Sequence, residues 1–97
     1  MAKKITWSAR AQKERTEILR YWINRNKSNS FSLSLNKLFI EYVELVAIMP
    51  ELGIATDAKD VRIIIVRDYS VYYRIISTHI EVLSIWDNRR NPAKFKL

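Results

Sequence analysis

The stretch VRIIIVRDYSVYYRIISTHIEVLSIW, Val61–Trp86, decides how this chain folds. It holds three runs rich in β-branched and aromatic residues: Val61–Val66, Val71–Ser77 and Ile80–Trp86. Such residues fit the pleated, half-buried surface of a strand. The segments between them, RDYS and Ser77–His79, are short turns, so the strands should form an antiparallel meander. VRIIIV is apolar on both faces except at Arg62, which suits a central or helix-covered strand. Tyr72 and Arg74 are then the expected contributors to the opposite, more polar face of the sheet.

Upstream of this stretch the period changes from two to that of a helix. Ala11, Ile18, Leu19, Trp22 and Ile23 fall on roughly one side of a helix that Ser8 can cap. Phe31, Leu35, Leu38, Phe39, Tyr42, Val46 and Met49 follow at steps of three and four. NRNKSNS, Asn24–Ser30, lacks periodicity and reads as the turn between two antiparallel helices. Pro50 ends the second helix, and Gly53, the only glycine, supplies freedom to turn. Lys3–Trp7 alternates weakly around Ile5 as a short first strand. The expected architecture is α+β, in the order β-α-α-β-β-β, with a helix hairpin on one face of an antiparallel sheet and a short basic C-terminal tail. A chain of 97 residues suits one domain, 1–97, with one modest core.

Composition narrows the function classes. A hydrophobic fraction of 48% with three Trp, five Tyr and three Phe excludes a disordered chain. Without cysteine there is no disulfide or thiolate site, and His79 alone cannot build a zinc site, so no metal or cofactor is expected. The start MAKKITWSAR lacks the apolar core of a signal peptide, and no run approaches a membrane span. These features point to a soluble, cytoplasmic protein. Lys and Arg number 17 against 10 Asp and Glu, a net charge of +7. Residues 1–27 hold eight of the basic residues and only two acidic ones, so the N-terminal segment is a basic element on a nearly neutral body. A phosphate backbone or an acidic protein segment complements such an element, and a solvated helix face is the plain alternative.

Three stretches then resemble one family. MPELG at Met49–Gly53 resembles the Pro/Gly break between the second helix and the sheet in the RelE/ParE superfamily of toxins from type II toxin–antitoxin systems, a group that includes plasmid stabilisation proteins. RDYSVYYRI at Arg67–Ile75 resembles its hairpin strand, and IEVLSIWDNRRNP at Ile80–Pro92 its last strand and arginine-bearing tip. The resemblance implies a small protein that arrests growth when free and is silenced by a cognate antitoxin. Antitoxins of this group usually wrap an extended or helical, often acidic segment around the toxin, and Arg10, Lys13 and Arg20 are the expected contacts. The resemblance leaves two targets. RelE-like members are similar to ribosome-dependent ribonucleases that cut mRNA, and ParE-like members are similar to poisons of DNA gyrase that act by binding.

RNA cleavage through the 2′-OH needs a base, an acid and positive charge for the phosphorane-like transition state. The chain offers the charge more readily than the acid and base. Arg89 falls where the nuclease branch carries a tip arginine, Arg90 adjoins it, and Arg74 on the preceding strand is expected to face the same cleft. Arg89, Arg74 and Asp87 form the candidate catalytic set; Arg67, Arg74, Arg89 and Arg90 form the candidate phosphate-binding set. Two neighbouring guanidinium groups should lower the pKa of Asp87 and handicap it as a base. The nuclease branch often has an Arg near Ser70 and a Tyr near Phe95, and this chain has neither. Whether it is an enzyme is therefore open, with the balance toward a ParE-like or other target. Plainer readings stand beside these: Asp87 paired with an arginine or forming an Asx-type turn, Trp86 as core or as a lid on the sheet edge, and Tyr69 and Tyr73 as cross-strand packing. A small non-catalytic RNA-binding domain is the alternative function. A double-stranded-RNA-binding fold, however, places its strands between two helices.

Overall fold

The computed structural model describes residues 2–97. Its elements are β1 (Lys4–Trp7), α1 (Ala9–Asn26), α2 (Ser30–Ile48), β2 (Ile54–Ala55), β3 (Val61–Val66), β4 (Tyr69–Ile75) and β5 (His79–Asp87), with 3-10 turns at Pro50–Leu52 and Pro92–Lys94. The five-stranded sheet has the order β1-β5-β4-β3-β2. Strands β3, β4 and β5 form the expected antiparallel meander. The first strand pairs parallel to β5, from Lys4 opposite His79 to Trp7 opposite Val82, so the sheet is mixed. The two-residue β2, which has no signature of its own in the sequence, pairs with β3 at the far edge.

Helix α1 begins and ends for local reasons. Ser8 caps α1: its Oγ accepts from the Ala11 N–H at 3.0 Å and donates to the Leu83 carbonyl at 2.9 Å. One hydroxyl thus starts the helix and ties that start to β5. Lys27 closes α1 in the left-handed region, φ 53 and ψ 30. A Cβ is unwelcome there. Lys27→Gly is accordingly expected to raise stability by up to about 1 kcal/mol, read as a shifted urea midpoint with an unchanged slope. Chain reversal at Ser28–Asn29 lays α2 back over the sheet, and Leu35, Phe39, Val43 and Val46 are buried beneath it.

The core sits between the helices and one face of the sheet. Phe39, Leu35 and Ala11 meet Val66, Tyr69, Val71, Val82 and Ile85, with Trp7, Leu19 and Trp22 around them. A smaller cluster of Val46, Tyr73 and Ile80 extends the core toward the other end of the strands. Arg62, the exception in VRIIIV, turns its guanidinium to the Gly53 carbonyl at 2.7 Å and so fastens β3 to the segment that leaves α2.

An irregularity in β5 sets which side chains face which way. Tyr73 is opposite Val82 but Tyr72 is opposite Ser84, so Leu83 is an extra residue in the ladder. Beyond such a bulge the alternation of faces shifts by one. Ile85 and Asp87 consequently lie on the same side as Ile80 and Val82, toward the helices, while Trp86 lies on the outer face. Gly53 also has a different role from the one expected of it. Its backbone is extended, φ −74 and ψ 168, a conformation open to any residue. The absence of a Cβ is what matters, because Tyr73 and the Ile63 carbonyl fill that space.

Candidate functional site

The tip of β5 joins the β3–β4 turn before the chain leaves the sheet. Asn88 donates its N–H to the Asp68 carbonyl at 2.8 Å, and its Oδ1 accepts from the Ser70 hydroxyl at 2.8 Å. Ser70 is thus buried, with its hydroxyl committed to Asn88. Arg67 occupies the turn itself with φ 56, exposed to solvent.

Asp87 makes both of the plainer contacts foreseen for it. Its Oδ1 accepts from the Arg89 N–H at 2.9 Å, an Asx-type turn, and from Arg89 Nε at 3.0 Å. Its Oδ2 accepts from Arg89 Nη2 at 2.8 Å. This bidentate pairing holds the Asp87 carboxyl below its ordinary value of 3.8 and keeps the Arg89 guanidinium protonated well above its usual range. Arg89 Nη2 also donates to the Tyr69 hydroxyl at 3.3 Å, and the Trp22 indole N–H donates to the same oxygen at 2.8 Å. Burial pushes the Tyr69 phenol up from 10.0. Trp22, Tyr69, Asp87 and Arg89 form one network spanning α1, β4 and β5. The Trp22 and Tyr69 members have no signature in the sequence, because the residues are 47 positions apart.

Beside this network is a cleft of about 450 Å³, lined by Glu14, Glu17, Ile18 and Tyr21 from α1 and by Asp87, Arg89 and Arg90 from the tip. The cleft exists because β1 stops at Trp7, opposite Val82, and leaves the last part of β5 without a strand on that side. Glu14 replaces the missing strand: its Oε1 accepts from the Ile85 N–H at 3.1 Å and from the Ser84 hydroxyl at 2.7 Å. Arg90 stands at the rim of the cleft and places its guanidinium over the Trp86 ring at 5.0 Å on the outer face. It has no carboxylate within ion-pairing distance among the described residues.

The expected grouping of arginines is only partly realised. Arg89, Arg90 and Arg67 are at one end of the sheet. Arg74 pairs with Val61 and Glu81, five residues along β4 from the Tyr69–Asp87 pair, which is about 16 Å of strand. It therefore does not share a cleft with Arg89, and the candidate trio Arg89, Arg74 and Asp87 is not assembled. On the outer face, Trp86 is neither core nor edge lid: the Phe95 ring packs against it, and Tyr72 stacks on Phe95. His79 opens β5 at the far end, and its ring Nδ1 is 2.9 Å from the Thr78 hydroxyl. Of the helix cations, Lys13 and Arg20 are exposed, while Arg10 pairs with Glu14 at 3.4 Å and covers the Phe95 ring. Among the described residues no group of three or more His, Cys, Asp or Glu is placed to hold a metal, and no helix is long and apolar enough to cross a membrane.

Comparison with known proteins agrees with this architecture. The family described as ParE toxin of type II toxin-antitoxin system, parDE, matches residues 5–92. The solved structure titled "Chromosomal ParDE TA system from P. aeruginosa" superposes with a TM-score of 0.73 at 16% identity, over 87% of this chain and 94% of that one. No curated protein sequence matches the chain.

Proposed function

The chain belongs to the ParE toxin family of type II toxin–antitoxin systems, and from that premise we propose that it arrests growth by binding DNA gyrase and that a cognate antitoxin silences it. The observation that carries this reading is the state of Asp87. Glu14 and Glu17 also line the cleft, but Asp87 is the carboxylate that Arg89 contacts directly, and three contacts from Arg89 occupy it. A carboxylate held ionised by a guanidinium is a poor general base, and Phe95 has no proton to give. The tip supports a binding surface better than it supports acid–base cleavage of RNA.

The antitoxin reading rests on the helix hairpin. Lys13 and Arg20 present charge along α1. Leu33, Ile40, Leu45 and Ile48 leave an apolar surface along α2, with Leu33 and Ile48 more than 60% exposed. An acidic segment with apolar side chains complements both helices.

The test pairs two assays. Purified gyrase is expected to lose supercoiling activity when the protein is added, and messenger RNA from arrested cells is expected to stay intact on primer extension. Codon-phased cuts in the RNA that vanish in Arg89→Ala, with supercoiling unaffected, would overturn the reading in favour of a ribosome-dependent ribonuclease.

A further inference from the structure

We propose that the outer face of the sheet carries a stacking site for an unpaired nucleobase of a single-stranded nucleic acid, and that Phe95 occupies this site in cis. The geometry is that of a bound planar ring. Phe95 stacks on Tyr72 with centroids 4.5 Å apart and planes 21° from parallel. Trp86 meets it edge-on at 5.1 Å and 61°. The Arg10 guanidinium lies over the ring, 5.4 Å from its centroid. The site thus has an aromatic floor, an aromatic wall and a cationic cover.

The occupant is held by little else. The segment from Asn91 makes three hydrogen bonds, Ala93 N–H to Asn91 Oδ1, Lys94 N–H to the Asn91 carbonyl and Phe95 N–H to the Pro92 carbonyl, all within itself. Among the described residues no hydrogen bond ties residues 92–97 to a strand or helix. Every residue of this segment except Phe95 is exposed, so the ring is its one anchor. Pulling out that single ring frees the segment without breaking the sheet.

The chemistry of a replacement follows from the surroundings. Arg90 lies over Trp86 at 5.0 Å, and Arg74 shares the outer face two residues beyond Tyr72 on β4. A planar ring joined to negative charge suits an aromatic floor bordered by guanidinium groups. Nucleotides in a single strand offer this combination, whereas a duplex keeps its bases stacked inside. The bases would be read with little sequence preference, because every base has a π-face. The site goes beyond the gyrase reading and stands or falls apart from it.

Fluorescence-monitored titration with a twelve-nucleotide oligothymidylate and with a duplex of equal length tests the proposal. Phe95→Ala is expected to bind the single strand about 10-fold more tightly than the parent, because the competing ring is gone. Tyr72→Ala in the Phe95→Ala background is expected to reverse that gain. The duplex is expected to bind weakly and equally to all three. Equal single-strand affinity in the parent and Phe95→Ala, or duplex competing as well as single strand, would overturn the site and leave only non-specific charge attraction. Should Phe95→Ala fail to fold, amide NMR of the unaltered protein decides: the oligothymidylate is expected to move the signals of residues 92–97 toward unstructured positions. Unmoved signals at saturation would refute displacement.

Discussion

Gly53→Ala is expected to destabilise the domain by about 3 kcal/mol, although its backbone is in a region that alanine adopts freely. A Cβ there would stand 2.6 Å from the Tyr73 hydroxyl oxygen, 2.7 Å from the Ile63 carbonyl oxygen and 2.9 Å from Tyr73 Cε1. The hydroxyl cannot retreat without cost. It accepts from the Gly53 N–H at 2.9 Å and donates to the Pro50 carbonyl at 2.7 Å, so it clasps the segment between α2 and the sheet. Tyr73→Phe removes this clasp, leaves the Gly53 N–H without its partner, and should cost about 1–3 kcal/mol. In the double variant the contact with Oη is gone while those with the Ile63 carbonyl and the ring Cε1 remain. The two costs are therefore expected to sum to more than the double variant loses. Urea unfolding of the four proteins checks this, and a Gly53→Ala midpoint equal to the parent's would refute the close-approach account. The alkaline limb gives a second sign. Burial raises the Tyr73 pKa above 10.0, so its contribution is complete below pH 10 and is lost as pH rises through the folded-state value. Tyr73→Phe should flatten that decline, leaving the share due to Tyr69, which is shifted in the same direction.

These residues show where reading the sequence succeeds and where it stops. The runs of the meander and the two helices are legible because their signals are local: residues two apart share a strand face, and residues three or four apart share a helix face. VRIIIV is found as β3 with unchanged bounds, and the hairpin turn falls within the polar NRNKSNS segment. The partner of β1 is another matter. It pairs with residues 75 positions away, from Lys4 opposite His79 onward, and nothing in the Lys3–Trp7 pattern distinguishes a parallel from an antiparallel neighbour. The site is half legible for a related reason. Arg89, Arg90 and Asp87 are adjacent in sequence, so their proximity needs no fold. The distance of Arg74 from them depends on strand direction and register, and the turning of Asp87 toward the helices depends on the bulge at Leu83. That bulge does leave a trace, since apolar Ile80 and Val82 are followed by Ile85, a change of phase that smooth alternation forbids. Gly53 stands out in the sequence as the only glycine, but the close approach by Tyr73 that requires it is a tertiary fact.

Arg89→Ala and Arg90→Ala are expected to fail in different ways, and the contrast tests the division of labour at the tip. Arg89 is turned inward on Asp87 and Tyr69. Its loss should lower stability by about 1 kcal/mol, a modest figure because the pair is partly open to solvent. It should also remove a pH dependence. The Asp87 pKa is lowered in the fold, so its contribution is present above pH 4 and is lost as pH falls through the depressed value. Without Arg89 the acid limb of the stability profile should become shallower. Among the described residues Arg90 has no such partner, and it reaches over Trp86 toward solvent. Arg90→Ala is expected to unfold at the parent's midpoint yet to inhibit gyrase supercoiling ~10-fold less well, as truncating an interfacial arginine does. If instead Arg90→Ala inhibits like the parent while a fully folded Arg89→Ala does not, Arg89 is the contact and its pairing with Asp87 must open on binding. That outcome would convert the Asp87–Arg89 pair from a brace into a latch, and Asp87→Asn, which weakens the latch without removing the arginine, should then increase potency.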